Sequence, residues 1–146
     1  MQTWADIRLH IYQQMVASSA APTPAETARS LDLPVCEVEE AYRGLADDHV
    51  VVLHPGSTNI WMAMPFSNVP TPYTVVCGGR AYYANCAWDA FGVVATLHSD
   101  ARILTQCPDC REPLQYGVRD NKLTRVDGVV HFALPVREWW KDIGFT

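Results

Sequence analysis

The sequence predicts an α+β fold, on two observations. In the first third of the chain, apolar residues recur at three- and four-residue steps in three separate stretches, which is the period of a helix buried on one face. From about residue 73 onward the pattern changes to short apolar runs punctuated by Gly78-Gly79, Asp120-Asn121 and Asp127-Gly128, which reads as antiparallel strands and tight turns. One helix-period stretch, after Asn85, interrupts these strands. With 49% hydrophobic and 18% charged residues among 146, the chain has the composition of a packed protein of one ordinary domain or two small ones.

The first helix is expected over residues 4–16, with Trp4, Ile7, Ile11 and Met15 on one face. The second opens at Thr23-Pro24-Ala25-Glu26: Thr caps, Pro takes the first position, and Glu lies three residues after Thr, as in a capping box. It ends before Pro34. A third spans about 35–47, with Val35, Val38, Tyr42 and Leu45 aligned. Val50–Leu53 and Ile60–Met64 then flank a turn and read as a hairpin. Three helices and a hairpin make a winged-helix-like region over residues 1–66. Ser67–Pro72 reads as a linker. Residues 73–146 form the second unit: strands at Tyr73–Cys77 and Arg80–Tyr83, a helix to about His98, strands at Arg102–Thr105, Leu114–Val118, Leu123–Val126 and Val129–Leu134, and a helical turn over 135–142.

A winged helix invites a nucleic-acid reading, and the charges oppose it. Residues 1–66 carry three basic and eight acidic residues, which accounts for the whole net charge of −5. The third helix, which would enter a groove, holds Glu37, Glu39 and Glu40 against Arg43. Phosphate contact needs the opposite sign. Neither nucleic acid nor membrane is an expected partner: no apolar run approaches the roughly 18 residues of a membrane span. The N-terminus lacks a signal-peptide pattern. Five cysteines, an odd number, then suggest free thiols in the cytoplasm.

Function is therefore sought in thiol or metal chemistry. Asn85 reads as the cap of the helix that follows, with Cys86 at its first position and Asp89 one turn on. Helix-terminal amides favour a thiolate at Cys86. Burial of Asp89 among Trp88, Ala90 and Phe91 would hold its proton. Together they make a soft nucleophile beside a general acid. The same residues are also compatible with a core cysteine and a first-turn acid. A second feature, Cys107-Pro108-Asp109-Cys110, has the spacing of half a zinc site, with Cys77, Cys86, His98 and His131 as candidates for the other half. It also suits a soft cation, or a plain tight turn.

The stretch Tyr82-Tyr83-Ala84-Asn85-Cys86-Ala87-Trp88-Asp89-Ala90-Phe91 resembles the active-site segment of the alkylmercury lyases, in which aromatics end a strand and Cys-Ala-x-Asp opens a helix. Thr105-Gln106-Cys107, Val130-His131-Phe132-Ala133 and the Pro135–Trp140 segment follow in the family's order, so the resemblance runs over about residues 5–142. It implies protonolysis of a carbon–mercury bond in a small organomercurial, with Cys86 as mercury-binding thiolate and Asp89 as proton donor. The chain departs from the family in two ways. Asp127-Gly128-Val129 stands where the second catalytic cysteine is expected, and the chain stops at Thr146, before the family's last helical segment. The resemblance thus implies a divergent, shortened member, with Cys107 or Cys110 as a stand-in second thiol if the fold brings either near. Mercury binding with slow or absent cleavage is the expected outcome. Two readings stay open beside it: a non-catalytic module holding zinc or a soft metal ion at Cys107 and Cys110, with Cys86 as a further ligand, and a metal-responsive winged-helix regulator, which the acidic third helix disfavours.

Overall fold

The computed structural model describes residues 4–145. Three helices come first: α1 (Trp4–Ser18), α2 (Pro24–Leu31) and α3 (Val35–Asp47). The start of α2 is the expected capping box. The Thr23 N–H donates to Glu26 Oε2 at 2.7 Å, and the Glu26 N–H donates back to Thr23 Oγ1 at 3.3 Å. Pro24 takes the first turn, and Asp32 ends the helix in the left-handed region. Helices α2 and α3 are locked by a buried polar group. Tyr42 Oη lies 2.8 Å from Thr27 Oγ1 and donates to the Pro22 carbonyl at 3.1 Å. Burial pushes the Tyr42 phenol up to about 12.

Eight strands follow: β1 (Val51–Leu53), β2 (Ile60–Ala63), β3 (Phe66–Ser67), β4 (Thr74–Cys77), β5 (Arg80–Ala84), β6 (Ala101–Gln106), β7 (Pro113–Arg119) and β8 (Lys122–Leu123). They form one antiparallel sheet in the order β1-β2-β3-β5-β4-β6-β7-β8. The N-terminal hairpin is thus joined to the later strands through β3, whose Phe66 pairs with Ala84 and Ser67 with Tyr83. Ser67, expected to open a linker, is a buried strand residue instead.

Helix α4 (Ala87–Leu97) packs on β3, β4, β5 and β6. The sheet face beneath it carries one cross-strand row, Tyr82–Val75–Ile103–Tyr116, fixed by the register of four strands. Tyr82, Val75 and Ile103 are buried in the core together with Phe66, Val93 and Ile11. Two phenols tie α1 to this sheet: Tyr12 Oη donates to the Met64 carbonyl at 2.8 Å, and Tyr82 Oη to the Val16 carbonyl at 2.8 Å.

Beyond β8 the sequence reading needs correction. Of the expected strands Leu123–Val126 and Val129–Leu134 only Leu123 lies in a strand, β8, and residues 124–135 hold no regular ladder. Apolar runs alone mislead here, because these valines have no partner strand: Val126 is 84% exposed and Val129 93%. A 3₁₀ helix over Val136–Lys141 supplies the expected helical turn, and its Trp140 stacks on His49 at 3.7 Å. No described helix is long and apolar enough to cross a membrane.

Candidate active site

The hairpin β4–β5 delivers Asn85 and Cys86 to one end of the sheet, where α4 begins. The helix cap differs from the expectation by one residue. Cys86 is the cap, in extended backbone, and its Sγ accepts the Asp89 N–H at 3.4 Å. Asn85 is engaged elsewhere: its Nδ2 donates to the Pro65 carbonyl at 3.1 Å and lies 3.5 Å from Met64 Sδ. A thiol can fill the cap because it needs only one acceptor lone pair directed at a first-turn amide. Asp89 therefore lies three residues after the cap, where its side chain reaches back to the Cys86 thiol.

Both side chains are half-buried, and burial governs their protonation. Desolvation raises the Cys86 thiol above its ordinary value; the Asp89 N–H opposes this and the Asp89 carboxylate reinforces it. The expected ready thiolate is thus overturned, because the loss of water outweighs the helix-terminal amides. Desolvation also raises the Asp89 carboxyl, against hydrogen bonds from the Asn85 and Cys86 side chains. The pair rests as a thiol facing a carboxyl group of raised proton affinity. Trp88, 58% exposed, meets Phe132 edge-on at 6.1 Å, and Phe132 leans on Trp139 at 5.2 Å, so aromatics join the start of α4 to the C-terminal segment.

A cavity of about 340 Å³ reaches Ala87, the residue after Cys86; neither Cys86 nor Asp89 lines it. Ala87 and Phe91 of α4 form one wall, Ile103, Thr105, Leu114 and Tyr116 of the sheet form the floor, and residues 125–131 cover it. Thr105 Oγ1 is buried there without a hydrogen-bond partner. The cover is held by Gly128, at φ +94°, where a Cβ would stand 2.9 Å from Tyr116 Oη. Arg125 lies 5.5 Å from the centre of the Tyr116 ring and pairs with Asp127, whose carboxyl it holds below the usual range. Neither Gly128 nor Thr105 stood out in the sequence as a site residue. A glycine after Asp127 signals a turn, and nothing local reveals which phenol it must approach.

The four site candidates fall into two pairs at the same end of the sheet. Ala84 hydrogen-bonds to Tyr73, and Thr74 stands opposite Leu104, so Cys86 after β5 and Cys107 after β6 flank β4. That puts their backbones two strand spacings apart, about 10 Å. Neither Cys107 nor Cys110 is among the groups acting on Cys86. Cys107 is joined instead to Cys110, whose thiol and N–H both reach its sulfur. Of the further ligands considered for zinc, Cys77 pairs with Ala101 at the opposite end of β6, and His98 ends α4 away from its cap. Among the described residues no three His, Cys, Asp or Glu side chains group to hold a metal ion.

A family model described as alkylmercury lyase matches residues 66–146. Among solved structures, one titled "Crystal structure of the mercury-bound form of MerB2" superposes with a TM-score of 0.69 at 23% identity. The match covers 86% of this chain and 60% of that one, and it carries the fold. No curated protein matches.

Proposed function

The chain belongs to the alkylmercury lyase family, and from that premise we propose that it binds an organomercurial at Cys86 and that Asp89 protonates the carbon attached to mercury. The observation that carries this reading is the contact of the Cys86 thiol with the Asp89 carboxyl group at the start of the helix whose Ala87 and Phe91 line an apolar cavity. Burial raises both groups, so a single proton can be shared between them without either being lost to solvent.

The chemistry follows from that proton. As the Cys86 sulfur bonds to mercury in R–Hg–X, X⁻ departs and the thiol proton passes to the Asp89 carboxylate. Asp89 then gives the proton to carbon as the carbon–mercury bond breaks. R–H leaves, and Hg(II) remains on the Cys86 sulfur with the Asp89 carboxylate as counter-charge, until an external thiol removes it and Cys86 regains a proton. No oxidation or reduction occurs. The apolar lining from Phe91, Ile103, Leu114 and Tyr116 suits the organic group R. The buried Thr105 hydroxyl is free to meet a polar atom on it.

A second protein thiolate on mercury would push electron density toward carbon. The stretch Asp127-Gly128-Val129 stands where the family resemblance places that cysteine, and its one possible metal donor side chain, Asp127, is already paired with Arg125. A carboxylate is a harder, weaker donor to mercury than a thiolate. Stoichiometric binding with slow or absent cleavage of simple organomercurials is therefore expected.

Hydrocarbon release from an arylmercury salt, with excess monothiol to remove the product, tests the reading. Cys86→Ser should abolish release and Asp89→Ala should bind without releasing. A Cys107→Ser, Cys110→Ser double variant should keep the parent's rate if one protein thiol suffices. Undiminished release by Cys86→Ser would end the reading.

A further inference from the structure

The Cys107–Cys110 turn is not used by the chemistry above, yet it carries two thiols on one closed loop. The Cys107 N–H donates to the Glu112 carbonyl and the Arg111 N–H to the Cys107 carbonyl, each at 2.9 Å. Arg111 closes the turn in the left-handed region at φ 61°. This closes a tight turn between β6 and β7 with Cys107 and Cys110 three residues apart on it. Cys110 is exposed and Cys107 half-exposed, so both sulfurs are open to a ligand.

We propose that Cys107 and Cys110 form a second metal site, separate from Cys86 and Asp89, which takes a soft, thiol-seeking cation in two-coordinate form, with Hg(II) as its representative. The ligand count selects that class. Zinc wants four ligands in tetrahedral array, and no third His, Cys, Asp or Glu joins these two sulfurs among the described residues. Soft d¹⁰ cations prefer thiolate and are satisfied by two sulfurs in line. Binding forms two sulfur–mercury bonds and releases the two thiol protons and the cation's former ligands to solvent; mercury stays divalent. Because both sulfurs sit on one four-residue turn, the second bond is intramolecular, and the pair outcompetes single thiols. Cleavage of carbon–mercury bonds is not required for this site.

The test uses one equivalent of inorganic Hg(II) and a large excess of a monothiol competitor, with the full chain carrying Cys86→Ser so that the other site is silent. Mercury per chain after gel filtration, and the near-ultraviolet absorption of mercury–thiolate bonds, give the readout. The Cys86→Ser chain is expected to retain one mercury. Adding Cys107→Ser or Cys110→Ser should cut retention at least tenfold, whereas adding Cys36→Ser, at an exposed lone thiol, should leave it unchanged. Circular dichroism checks that each variant folds, and intact mass of the mercury-loaded Cys86→Ser chain with iodoacetamide-blocked free thiols provides a second measurement on an unaltered turn. Retention undiminished by loss of Cys107 or Cys110, or mercury found with both of these cysteines alkylated, would overturn the proposal. So would one zinc per chain surviving the same competition.

Discussion

Asp89 donates its backbone N–H to the Cys86 sulfur at 3.4 Å while its side chain meets the same thiol. One acidic residue thus both orients the sulfur and shares its proton. The helix start supplies this because the cap and the third residue of a helix face each other across the first turn.

A stability consequence follows from Asp89. Burial raises its folded-state value above the ordinary 3.8, so the folded state binds the proton more tightly than the unfolded chain does. That contribution to stability is fully present below the ordinary value and is lost as pH rises through the raised folded value. At neutral pH the ionised carboxylate is a net burden. Asp89→Asn should therefore raise the melting temperature at pH 7 relative to the parent, and the gain should vanish in acid near pH 3.8. A melting series over pH measures it; a gain that is independent of pH would contradict the assignment.

The two candidate thiols should differ in reactivity. Cys86 is raised by burial, whereas Cys107 is lowered by the amides around it. Under limiting iodoacetamide at pH 7, Cys107 should be alkylated before Cys86. Peptide mapping of the alkylated chain reads the order directly.

Tyr42→Phe removes the hydroxyl that bridges Thr27 and the Pro22 carbonyl, and leaves both buried without that partner. An unfolding free energy lower by about 1–3 kcal/mol is expected. Urea unfolding at unchanged slope would show it.

Gly128→Val should lift the cover from the cavity. The backbone there has φ +94°, and a Cβ would press on Tyr116 Oη. Trypsin should then cut after Arg125 several-fold faster than in the parent, with the melting temperature little changed, since residues 124–135 contribute none of the buried core.

The helices were legible because their signals are local. Thr23-Pro24-x-Glu26 states its own cap, and the steps of Ile7, Ile11 and Met15 match their burial. The glycine pair at 78–79 likewise announces its turn, both residues having positive φ. Val126 and Val129 belong to apolar runs like those of true strands but have no neighbouring strand to pair with, which no local pattern records. At the site, the sequence revealed that Cys86 and Asp89 share a helix start. It misassigned the cap, because the demand on Asn85 comes from Pro65, twenty residues away. It also misjudged the thiol, because the helix-terminal amides are visible in sequence and the extent of burial is not.

The most direct test is the lifetime of the aryl–mercury adduct on Cys86 in a parent chain carrying Cys36→Ser, Cys107→Ser and Cys110→Ser, so that the other accessible thiols are gone; it is followed by intact mass after one equivalent of an arylmercury salt in deuterated buffer. In the parent the adduct should form on Cys86 and decay, slowly, with release of singly deuterated arene. In Asp89→Asn it should form to the same extent and persist at least a hundredfold longer, as expected for loss of a general acid. Decay of the Asp89→Asn adduct at the parent's rate, or an equal yield of adduct in Cys86→Ser, would contradict the account.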